Sequence, residues 1–390
     1  MDRRSVTGGS LPFDGQCSGE ADAFFAEHVG EAIQANDTER VRRLLRHLHR
    51  DLSRRRDGRS GDRLVLALDG IDTVISEFER LGDEDTIILL RALINDGASL
   101  GISIVATTRS LHRLADLACV HWLLHRADSG AAQHLGAPAA LLPPKIPGRI
   151  LRFPDPAQAH IRRSPPRVAR RGVSAPARVE VLPSRTGRIH PVGAQVERGV
   201  RLELGIDADD LSPVDITLTG GRHVLVIGGR GTGRTTALDW IGESWRSITG
   251  ASPARVRHSL DELPESTSGL VIVDDALAVD AGASADRIRN DAGVVLVAAT
   301  DGDGLRAAWG HWLGDLRRWR TGLVIASGGA LDGDLLGATL PARTPIAARP
   351  GLGWWVADGR TRLVQVHAGP HHQSTTLHPG PMTSDDMLAR

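Results

Sequence analysis

The sequence predicts an α/β protein with two tandem domains, each built on a parallel, doubly wound sheet. Three observations predict this fold. Short apolar runs at 224–227, 269–273 and 293–300 are separated by helical stretches. Runs this short and this rich in β-branched residues are typical of buried parallel strands joined by crossover helices. A glycine-dense turn follows the first of these runs, and the upstream half of the chain repeats the alternation of apolar runs and helices.

The first clear element is a helix that begins after an irregular start of about 36 residues, in which 21–31 predicts a short helix. Asp37 and Thr38 are good helix-capping residues. The apolar face that follows carries Val41, Leu44, Leu45, Leu48 and Leu52. The other face and the tail of the helix are rich in arginine. A solvated basic face is the favoured interpretation, and a surface that follows nucleic-acid phosphates is the alternative.

Two apolar strands are predicted next, at 63–69 and 101–109, with helices at 72–81 and 85–96 between them. The first strand ends in Asp69, which is followed by Gly70. We expect the domain to extend to residue 160 and a proline- and arginine-rich connector to occupy 161–195. A second domain is expected at 196–370, where 200–219 predicts two strands, and a disordered tail at 371–390.

The glycine-dense turn has the spacing of a P-loop. Gly228-x-x-x-x-Gly233-Arg234-Thr235 matches G-x-x-x-x-G-K-[ST] except that arginine replaces lysine. In a P-loop, successive backbone N–H groups and a helix N-terminus surround the phosphates, and the Ser/Thr hydroxyl binds Mg²⁺. The sequence therefore predicts binding of ATP and Mg²⁺. The expected nucleotide-binding residues are Gly228, Gly229, Arg230, Gly231, Thr232, Gly233, Arg234, Thr235 and Thr236.

The turn has two other possible interpretations. A dinucleotide fingerprint G-x-G-x-x-G fails because Arg234 or Thr236 stands where its last glycine is required. A glycine-rich turn that binds nothing stays open as the alternative. Lys145 is the only lysine of a chain rich in arginine, so an arginine in the loop agrees with the composition as a whole. It is not chemically neutral, because arginine is a planar fork and lysine a compact charge.

The run at 269–273 ends in two carboxylates, Asp274 and Asp275, as in a Walker B motif. We expect Asp274 to hold Mg²⁺, together with Thr235, and Asp275 to occupy the catalytic position that polarises the attacking water. Aspartate is one methylene shorter than the usual glutamate, so weak hydrolysis is expected. The run at 293–300 predicts the neighbouring strand.

The two halves of the chain resemble each other. Asp69 lies 78 residues before Pro147-Gly148, and Asp274 lies 76 residues before Pro350-Gly351. A Gln-x-His pattern follows each Pro-Gly, at Gln158 and at Gln365. These matches predict tandem copies of one domain. The upstream copy has no glycine loop ahead of Asp69, so we expect it to bind no nucleotide, as in a domain that lacks its first strand and loop.

Past the second carboxylate pair, 305–320 predicts one amphipathic helix. It carries Trp309, Trp312 and Trp319 at helical spacing, which favours a core stripe over a partner groove. His371 and His372 have no further ligand near them and make a poor metal site.

Composition narrows the class of protein. The chain has 390 residues, a formal net charge of zero and no apolar run near the roughly 18 residues of a membrane span. No signal-peptide pattern is expected at the N-terminus. Cys17 and Cys119 are the two cysteines, which fits a reducing compartment. We therefore expect a cytoplasmic protein, and any attachment to a membrane would come through a partner or a missing upstream portion.

With these motifs identified, the chain resembles the FtsK/SpoIIIE-type P-loop ATPases, among them the multi-ATPase proteins of type VII secretion such as EccC. The resemblance covers roughly residues 36 to 368. Its carriers are the segment 204–214, the loop from Gly228 to Thr235, and Asp274-Asp275, with Asp69 and 105–109 in the upstream copy. It implies two tandem RecA-like ATPase domains, the first lacking its P-loop.

The resemblance also implies a function. Such proteins are motors that move DNA or secreted proteins by ATP hydrolysis, and their later ATPase copies are often degenerate. We expect an ATP-binding translocase module whose hydrolysis is weak or regulatory. Its partners would be other ATPase subunits or domains of the same machine, and DNA and a secreted protein are both candidate substrates. The alternative is a non-hydrolysing module that docks partner or secretion-substrate proteins.

Overall fold

A computed structural model of the chain describes residues 6–7, 32–110, 121–124, 130, 133, 149–153, 157–160, 178–186, 190–326, 330–341 and 343–369. The chain divides into two compact units. The first unit comprises residues 1–181 with 342–346, and the second comprises 182–341 with 347–390. The predicted helix at 21–31, most of the predicted connector, the Pro147-Gly148 pair and the predicted tail with His371 and His372 lie outside the described residues.

The first unit contains two small sheets and three longer helices among its described residues. Its strands are β1 (Val6–Thr7), β2 (Leu64–Leu68), β3 (Ile102–Ala106), β4 (Trp122–Leu124), β5 (Arg149–Phe153) and β6 (Ala157–His160). Its helices are α1 (Thr38–Arg56), α2 (Ile71–Leu81) and α3 (Glu84–Asp96), and Ala98–Leu100 forms a 3-10 turn. Strands β1, β2 and β3 pair in parallel, in that order, whereas β4, β5 and β6 pair antiparallel.

Helix α1 follows the predicted capping and apolar pattern. The Asp37 side chain accepts a hydrogen bond from the backbone N–H of Arg40, and the predicted apolar face is buried. The prediction of a solvated basic face is wrong for several arginines. Arg43 and Arg55 are buried, and each binds a carboxylate and at least one backbone carbonyl of the same unit. An arginine whose charge is paired in this way is not available to bind a nucleic-acid phosphate.

The second unit is built around one large sheet. Its strands are β7 (Gly193–Val196), β8 (Gly199–Asp207), β9 (Pro213–Thr219), β10 (Val224–Ile227), β11 (Ala254–Val256), β12 (Gly269–Val273), β13 (Val294–Thr300), β14 (Gly322–Ile325), β15 (Leu352–Ala357) and β16 (Arg360–Val366). Its helices are α4 (Arg234–Thr249), α5 (Ala285–Asn290), α6 (Gly302–Ala307) and α7 (Leu313–Leu316). Short 3-10 segments lie at Leu260–Glu262, Ala276–Ala278, Arg317–Trp319 and Ala330–Leu336.

The sheet of the second unit is mixed, which corrects the expectation of a wholly parallel one. Its order is β11-β12-β13-β10-β14-β15-β16-β8-β7, with β9 also paired to β8. The strands from β11 to β14 are parallel, and those beyond β14 are antiparallel. Strands β15 and β16 are antiparallel because a two-residue turn connects them. Asp358 and Gly359 both have positive φ, as a type I′ hairpin requires, and such a hairpin joins antiparallel strands.

The core of the second unit lies between the parallel strands and α4. Every residue of β10 and β13 is buried. Helix α4 contributes Ala237, Leu238, Ile241 and Trp245 to the cluster that covers one face of these strands. The α/β class that the apolar runs predict is therefore confirmed. Among the described residues, no helix combines the length and the apolar character needed to cross a membrane.

The single amphipathic helix predicted at 305–320 is wrong. Helix α6 ends at Ala307, and α7 begins at Leu313. Gly310, between them, has a φ of 74°, a left-handed conformation that interrupts the helix. Trp312 is buried and donates a hydrogen bond from its indole to the carbonyl of Val279, as a core tryptophan would, but Trp309 is 95% exposed.

Asp69 and Asp274 occupy equivalent places in the two units. Each follows a strand that pairs in parallel with the next strand of its sheet, and Leu68 lies opposite Ala106 as Val273 lies opposite Ala298. The residue after each aspartate, Gly70 or Asp275, has left-handed backbone angles.

The Gln-x-His match between the halves is wrong as a structural correspondence. Gln158 pairs with Leu151, the third residue after its Pro-Gly, whereas Gln365 pairs with Leu352, the first residue after its own. The two glutamines therefore stand at different positions of their hairpins, and the shared pattern does not mark equivalent residues.

Candidate functional site

The glycine loop lies at the carboxyl end of β10, in the middle of the parallel strands of the second unit. Gly228 donates a backbone hydrogen bond to the carbonyl of Thr300 at 3.0 Å. A Cβ on Gly228 would come within 2.7 Å of the Thr232 hydroxyl and 3.0 Å of the carbonyl of Ile325, so the site requires glycine. Gly231 and Gly233 have φ values of 75° and 104°, which side chains rarely adopt. The geometry of the loop therefore explains why the sequence has glycine at these positions.

Helix α4 begins directly after the loop and presents its N-terminus there. Gly233 caps the helix without a side-chain hydrogen bond. The first N–H groups of a helix have no partner within it and carry the positive end of its dipole. Since no side chain caps them here, these groups are suited to an anion such as a phosphate.

Thr235 and Asp274 are brought together. The Thr235 hydroxyl donates to Asp274 Oδ2 at 2.7 Å, and the backbone N–H of Asp275 donates to Asp274 Oδ1 at 2.9 Å. A hydroxyl and a carboxylate are hard oxygen donors of the kind Mg²⁺ prefers. Among the described residues there is no group of three or more His, Cys, Asp or Glu side chains that could hold a metal ion. A magnesium ion here would therefore need the nucleotide's phosphates as further ligands, which is its usual mode of binding.

Asp275 stands beside the site with an exposed side chain. Its φ of 48° and ψ of 50° are left-handed. Aspartate and asparagine are the residues other than glycine that adopt this conformation most readily, whereas glutamate does so less often. Backbone geometry thus accounts for aspartate at a position where related motifs carry glutamate.

Arg234 is the first residue of α4 and half-buried. Its Nη1 atom is buried, and among the described residues no group accepts a hydrogen bond from it. A buried guanidinium nitrogen without an acceptor is unfavourable. An anion at the loop would supply the missing acceptor, which fits a phosphate group.

The segment at Pro350-Gly351 also supports the loop. The backbone N–H of Gly351 donates to the carbonyl of Thr232 at 2.8 Å. The Gln365 amide donates to the carbonyl of Pro350 at 3.0 Å, and Arg349 Nε donates to Gln365 Oε1 at 2.8 Å. These supporting residues lie more than 100 positions from the loop, and no local pattern in the sequence indicates them.

The equivalent place in the first unit is arranged differently. Asp69 accepts a hydrogen bond from the hydroxyl of Thr107 at 2.5 Å, and that hydroxyl also accepts from the N–H of Gly70 at 2.8 Å. Thr107 follows β3, so the threonine partner comes from the neighbouring strand and not from a glycine loop. Within the described part of the first unit, no glycine loop faces Asp69.

Comparison with solved structures shows what this arrangement is similar to. The structure of Thermomonospora curvata EccC, ATPases 2 and 3, in complex with a signal sequence peptide matches with a TM-score of 0.61 and 18% identity. The match covers 94% of this chain and 82% of that one. The chain has the fold of these secretion ATPase domains. The resemblance that the sequence indicates is confirmed at the level of the fold.

Two further structures agree with this fold. EssC, ATPases 2 and 3, from Geobacillus thermodenitrificans matches with a TM-score of 0.60 and 15% identity over 94% of this chain and 85% of that one. The cytoplasmic domain of the Thermomonospora curvata type VII secretion ATPase EccC matches with a TM-score of 0.58 and 20% identity, over 94% of this chain and 53% of that one. No protein-family model and no curated protein matches the sequence.

Proposed function

We propose that the chain is an ATP-binding module of an FtsK/SpoIIIE-type translocation machine, in which the second unit binds Mg-ATP and hydrolyses it slowly on its own. The hydrogen bond between Thr235 and Asp274 carries this proposal. It joins the last position of the glycine loop to the carboxylate at the end of a neighbouring strand, which is the pairing that a magnesium–nucleotide site needs.

Three features support binding of the phosphates. Gly231 and Gly233 of the loop have left-handed backbone angles, the N-terminus of α4 has no side-chain cap, and Arg234 Nη1 has no acceptor among the described residues. All three are satisfied by the same ligand, a polyphosphate. If the glycine turn bound nothing, the Arg234 nitrogen would stay without a hydrogen-bond acceptor and the N-terminus of α4 without an anion.

Slow hydrolysis is proposed because two contributions to the stabilisation of the transition state are weak. Asp275 is exposed and one methylene shorter than glutamate, so it holds a water poorly. An arginine supplied by a neighbouring subunit contributes roughly 10³–10⁵ in rate to such reactions, and an isolated chain lacks that contribution. The partners of this module are therefore other ATPase subunits or domains of the same machine.

A protein substrate is favoured over DNA. The EccC structure that matches this chain holds a signal sequence peptide. In the first unit, four of the arginines of α1 that suggested phosphate contacts form ion pairs, with Asp83, Glu39, Asp51 and Asp96. Arginines paired in this way contribute little to the counterion release that drives DNA binding.

A second candidate function is a docking module that does not hydrolyse ATP. Trp309 favours it, because this large apolar side chain is almost fully exposed. Tryptophan is enriched at the centres of protein interfaces. In this alternative the nucleotide site would only stabilise the fold.

The deciding experiment is equilibrium binding of ATP to the full chain with and without Mg²⁺. We expect one ATP per chain, and Thr235→Ala should lower the Mg²⁺-dependent affinity about tenfold, the effect of about 1.4 kcal/mol. Thr217→Ala, at an exposed position of β9, is the matched control and should bind as the wild type does. No saturable ATP binding would refute the nucleotide function and leave the docking function, whereas equal Mg²⁺ dependence in the two variants would show that Thr235 does not hold the ion.

A further inference from the structure

The second unit begins with residues 182–186, which we call the entry segment. This segment lies within the connector predicted at 161–195. Its middle residues are exposed, but Leu182 is 1% exposed and Thr186 is 5% exposed. Connecting segments usually run over the surface of a protein without such burial. The two ends of the entry segment are therefore held by the unit that the chain enters.

The end of the entry segment at Thr186 is held by the last residues of the large sheet. The Thr186 hydroxyl donates to the carbonyl of Val366 at 3.1 Å. The backbone N–H of Ala368 donates to the carbonyl of Thr186 at 2.9 Å, and Thr186 pairs in parallel with His367. The entry segment thus forms a short bridge beside the carboxyl end of β16.

The end at Leu182 is held by the side chain of Arg349. Arg349 Nη2 donates to the carbonyls of Leu182 at 3.0 Å and Pro183 at 3.2 Å. The Nε atom of the same guanidinium donates to Gln365 Oε1 at 2.8 Å. A guanidinium is a rigid planar fork that can hold several oxygens in a fixed geometry, whereas a lysine ammonium is a single point. Arg349 therefore joins the entry segment to Gln365.

Gln365 in turn fixes the turn that precedes β15. Its side chain is buried, and its amide donates to the carbonyl of Pro350 at 3.0 Å. The backbone N–H of Leu352 donates to the carbonyl of Arg349 at 3.1 Å and closes a turn around Pro350 and Gly351. Gly351 has a φ of 76°, and turns with proline second and a positive φ third require glycine there.

This turn lies directly against the glycine loop. The backbone N–H of Gly351 donates to the carbonyl of Thr232 at 2.8 Å. A Cβ on Gly233 would lie 3.0 Å from the nitrogen of Gly351, so the turn also contacts the residue that caps α4. Because the turn touches two consecutive residues of the loop at close range, a displacement of the turn changes the shape of the loop.

We propose that Arg349 is a positioning residue of the nucleotide site, through which the entry segment and the glycine loop are coupled. This inference rests on the proposed nucleotide function. A nucleotide that orders the loop then strengthens the hold on the entry segment. By linkage, release of the entry segment weakens nucleotide binding by the same factor.

The first test measures equilibrium binding of ATP with Mg²⁺ to the full chain. Arg349→Gln should bind about fivefold more weakly, the lower end of typical couplings between sites. Arg349→Lys should not restore the affinity, because a single ammonium cannot replace the planar fork. Arg360→Gln is the matched control, since Arg360 is exposed at the start of β16, and should bind as the wild type does. Circular dichroism verifies that each variant is folded at the temperature of the measurement.

The second test starts from the other end of the entry segment. Thr186→Val keeps the shape of the side chain and removes the hydroxyl that binds Val366. We expect ATP affinity to fall about threefold, a part of the net effect of one hydrogen bond. In the Arg349→Gln background the same substitution should cause no further loss, because both residues act through one connection. Thr217→Val, at an exposed position of β9, is the control and should be neutral in both backgrounds.

The third test needs no nucleotide. Hydrogen exchange at the amide of Gly351 reports how firmly the turn is bound to the loop, because that amide donates to Thr232. We expect faster exchange of this amide in Arg349→Gln and in Thr186→Val than in the wild type. Thr186 is distant from Gly351 in sequence, so a change there reaches the turn only through tertiary contacts.

Different outcomes refute the two proposals. If the wild-type chain bound no ATP, the nucleotide function and the positioning role would both be wrong. If the wild type binds ATP, three results overturn the positioning role alone. One is a lower Tm with unchanged ATP affinity in Arg349→Gln, the result of a purely structural role. The others are additive effects of Thr186→Val and Arg349→Gln on ATP affinity, and wild-type exchange of the Gly351 amide in both variants.

Discussion

The backbone N–H of Gly351 lies 2.8 Å from the carbonyl oxygen of Thr232 and donates to it. This bond connects the glycine loop to the start of β15, and Val366 of β16 in turn donates to the carbonyl of Gly351. The antiparallel hairpin of the second unit thus acts as a support for the loop. The loop's shape depends on strands that follow it by more than 100 residues.

The first prediction concerns this support. Gly351→Ala should lower ATP affinity, because Gly351 has a φ of 76° and a Cβ there would lie 2.8 Å from the Gln365 amide nitrogen. A left-handed residue other than glycine costs about 1–2 kcal/mol in stability. In a domain of this size that corresponds to a fall in Tm of about 2–4 °C per kcal/mol. Calorimetry of unfolding and of ATP binding measures both effects.

Gly359→Ala is the control for backbone strain alone. Gly359 has a φ of 72°, and a Cβ there would meet nothing within 4 Å. We expect a similar loss of Tm in this variant with unchanged ATP affinity. Equal ATP affinity in the two variants would show that the contact with Thr232 does not shape the loop.

The glycine loop and its parallel strands were predictable because their determinants are local. Four apolar residues, a fixed glycine spacing and a following helix occur within 25 positions, and the structure brings Thr235 to Asp274 as that pattern implies. The supports of the loop were not predictable. Gln365 and Gly351 act through contacts distant in sequence, and the repeat pattern that contains them does not indicate a contact with the loop.

The errors have equally specific causes. The helical spacing of the tryptophans predicted one helix. Gly310 adopts a left-handed conformation that interrupts the helix, and Trp309 is exposed. Counting charges predicted a solvated basic helix, although Arg55 is buried and binds Asp51 of its own helix and the backbone carbonyls of Leu100 and Asp62. The spacing and composition of a sequence do not indicate which residues make such tertiary contacts.

The second prediction concerns Arg234. Arg234→Lys should bind ATP as tightly as the wild type or more tightly, because lysine keeps the charge and removes the buried Nη1 that lacks an acceptor. Arg234→Gln should bind about tenfold more weakly through loss of a charge-assisted contact worth about 1.5–3 kcal/mol at most. Arg246→Gln, at an exposed position in the last turn of α4, is the control and should have a small effect. Wild-type affinity in Arg234→Gln would mean that this side chain does not face the phosphates.

The third prediction is a dependence of stability on pH. Burial lowers the pKa of His223, and the nearby Arg318 and Arg289 lower it further, although the carbonyl of Arg289 accepts a hydrogen bond from the ring and opposes the shift. The other ring nitrogen accepts from the N–H of Leu296, so the folded state holds the neutral imidazole. Because the unfolded histidine takes up a proton near pH 6.5, stability is complete above that pH and falls as the pH decreases below it.

The Tm measured at pH 7.5 and at pH 5.5 tests this. His223→Gln should have a lower Tm at pH 7.5, since both ring contacts are altered, but a smaller loss of Tm on acidification than the wild type. His258→Gln, an exposed histidine of the same unit, should retain the wild-type loss. If His223→Gln loses as much Tm on acidification as the wild type does, the buried histidine is not the group that couples stability to pH.

The last prediction concerns hydrolysis at Asp275. The carboxylate of Asp275 is exposed, and its link to Asp274 uses the backbone N–H, which any substitution retains. We therefore expect Asp275→Asn and Asp275→Glu to bind Mg-ATP with wild-type affinity. Single-turnover hydrolysis by the wild-type chain alone should be on the order of 10⁻⁴–10⁻³ s⁻¹, the range of a site that lacks the catalytic arginine. Asp275→Asn should be slower still, because the amide cannot accept a proton from water.

The Asp275→Glu variant distinguishes the effect of backbone geometry on stability from the effect of the carboxylate on hydrolysis. The left-handed backbone at this position tolerates glutamate less well than aspartate, so we expect a slightly lower Tm. Its longer side chain should raise turnover only when a neighbouring ATPase subunit supplies an arginine, because the unsatisfied charge of the transferring phosphate limits the isolated chain. Brisk hydrolysis by the lone wild-type chain, or unchanged hydrolysis in Asp275→Asn, would show that another residue positions the water.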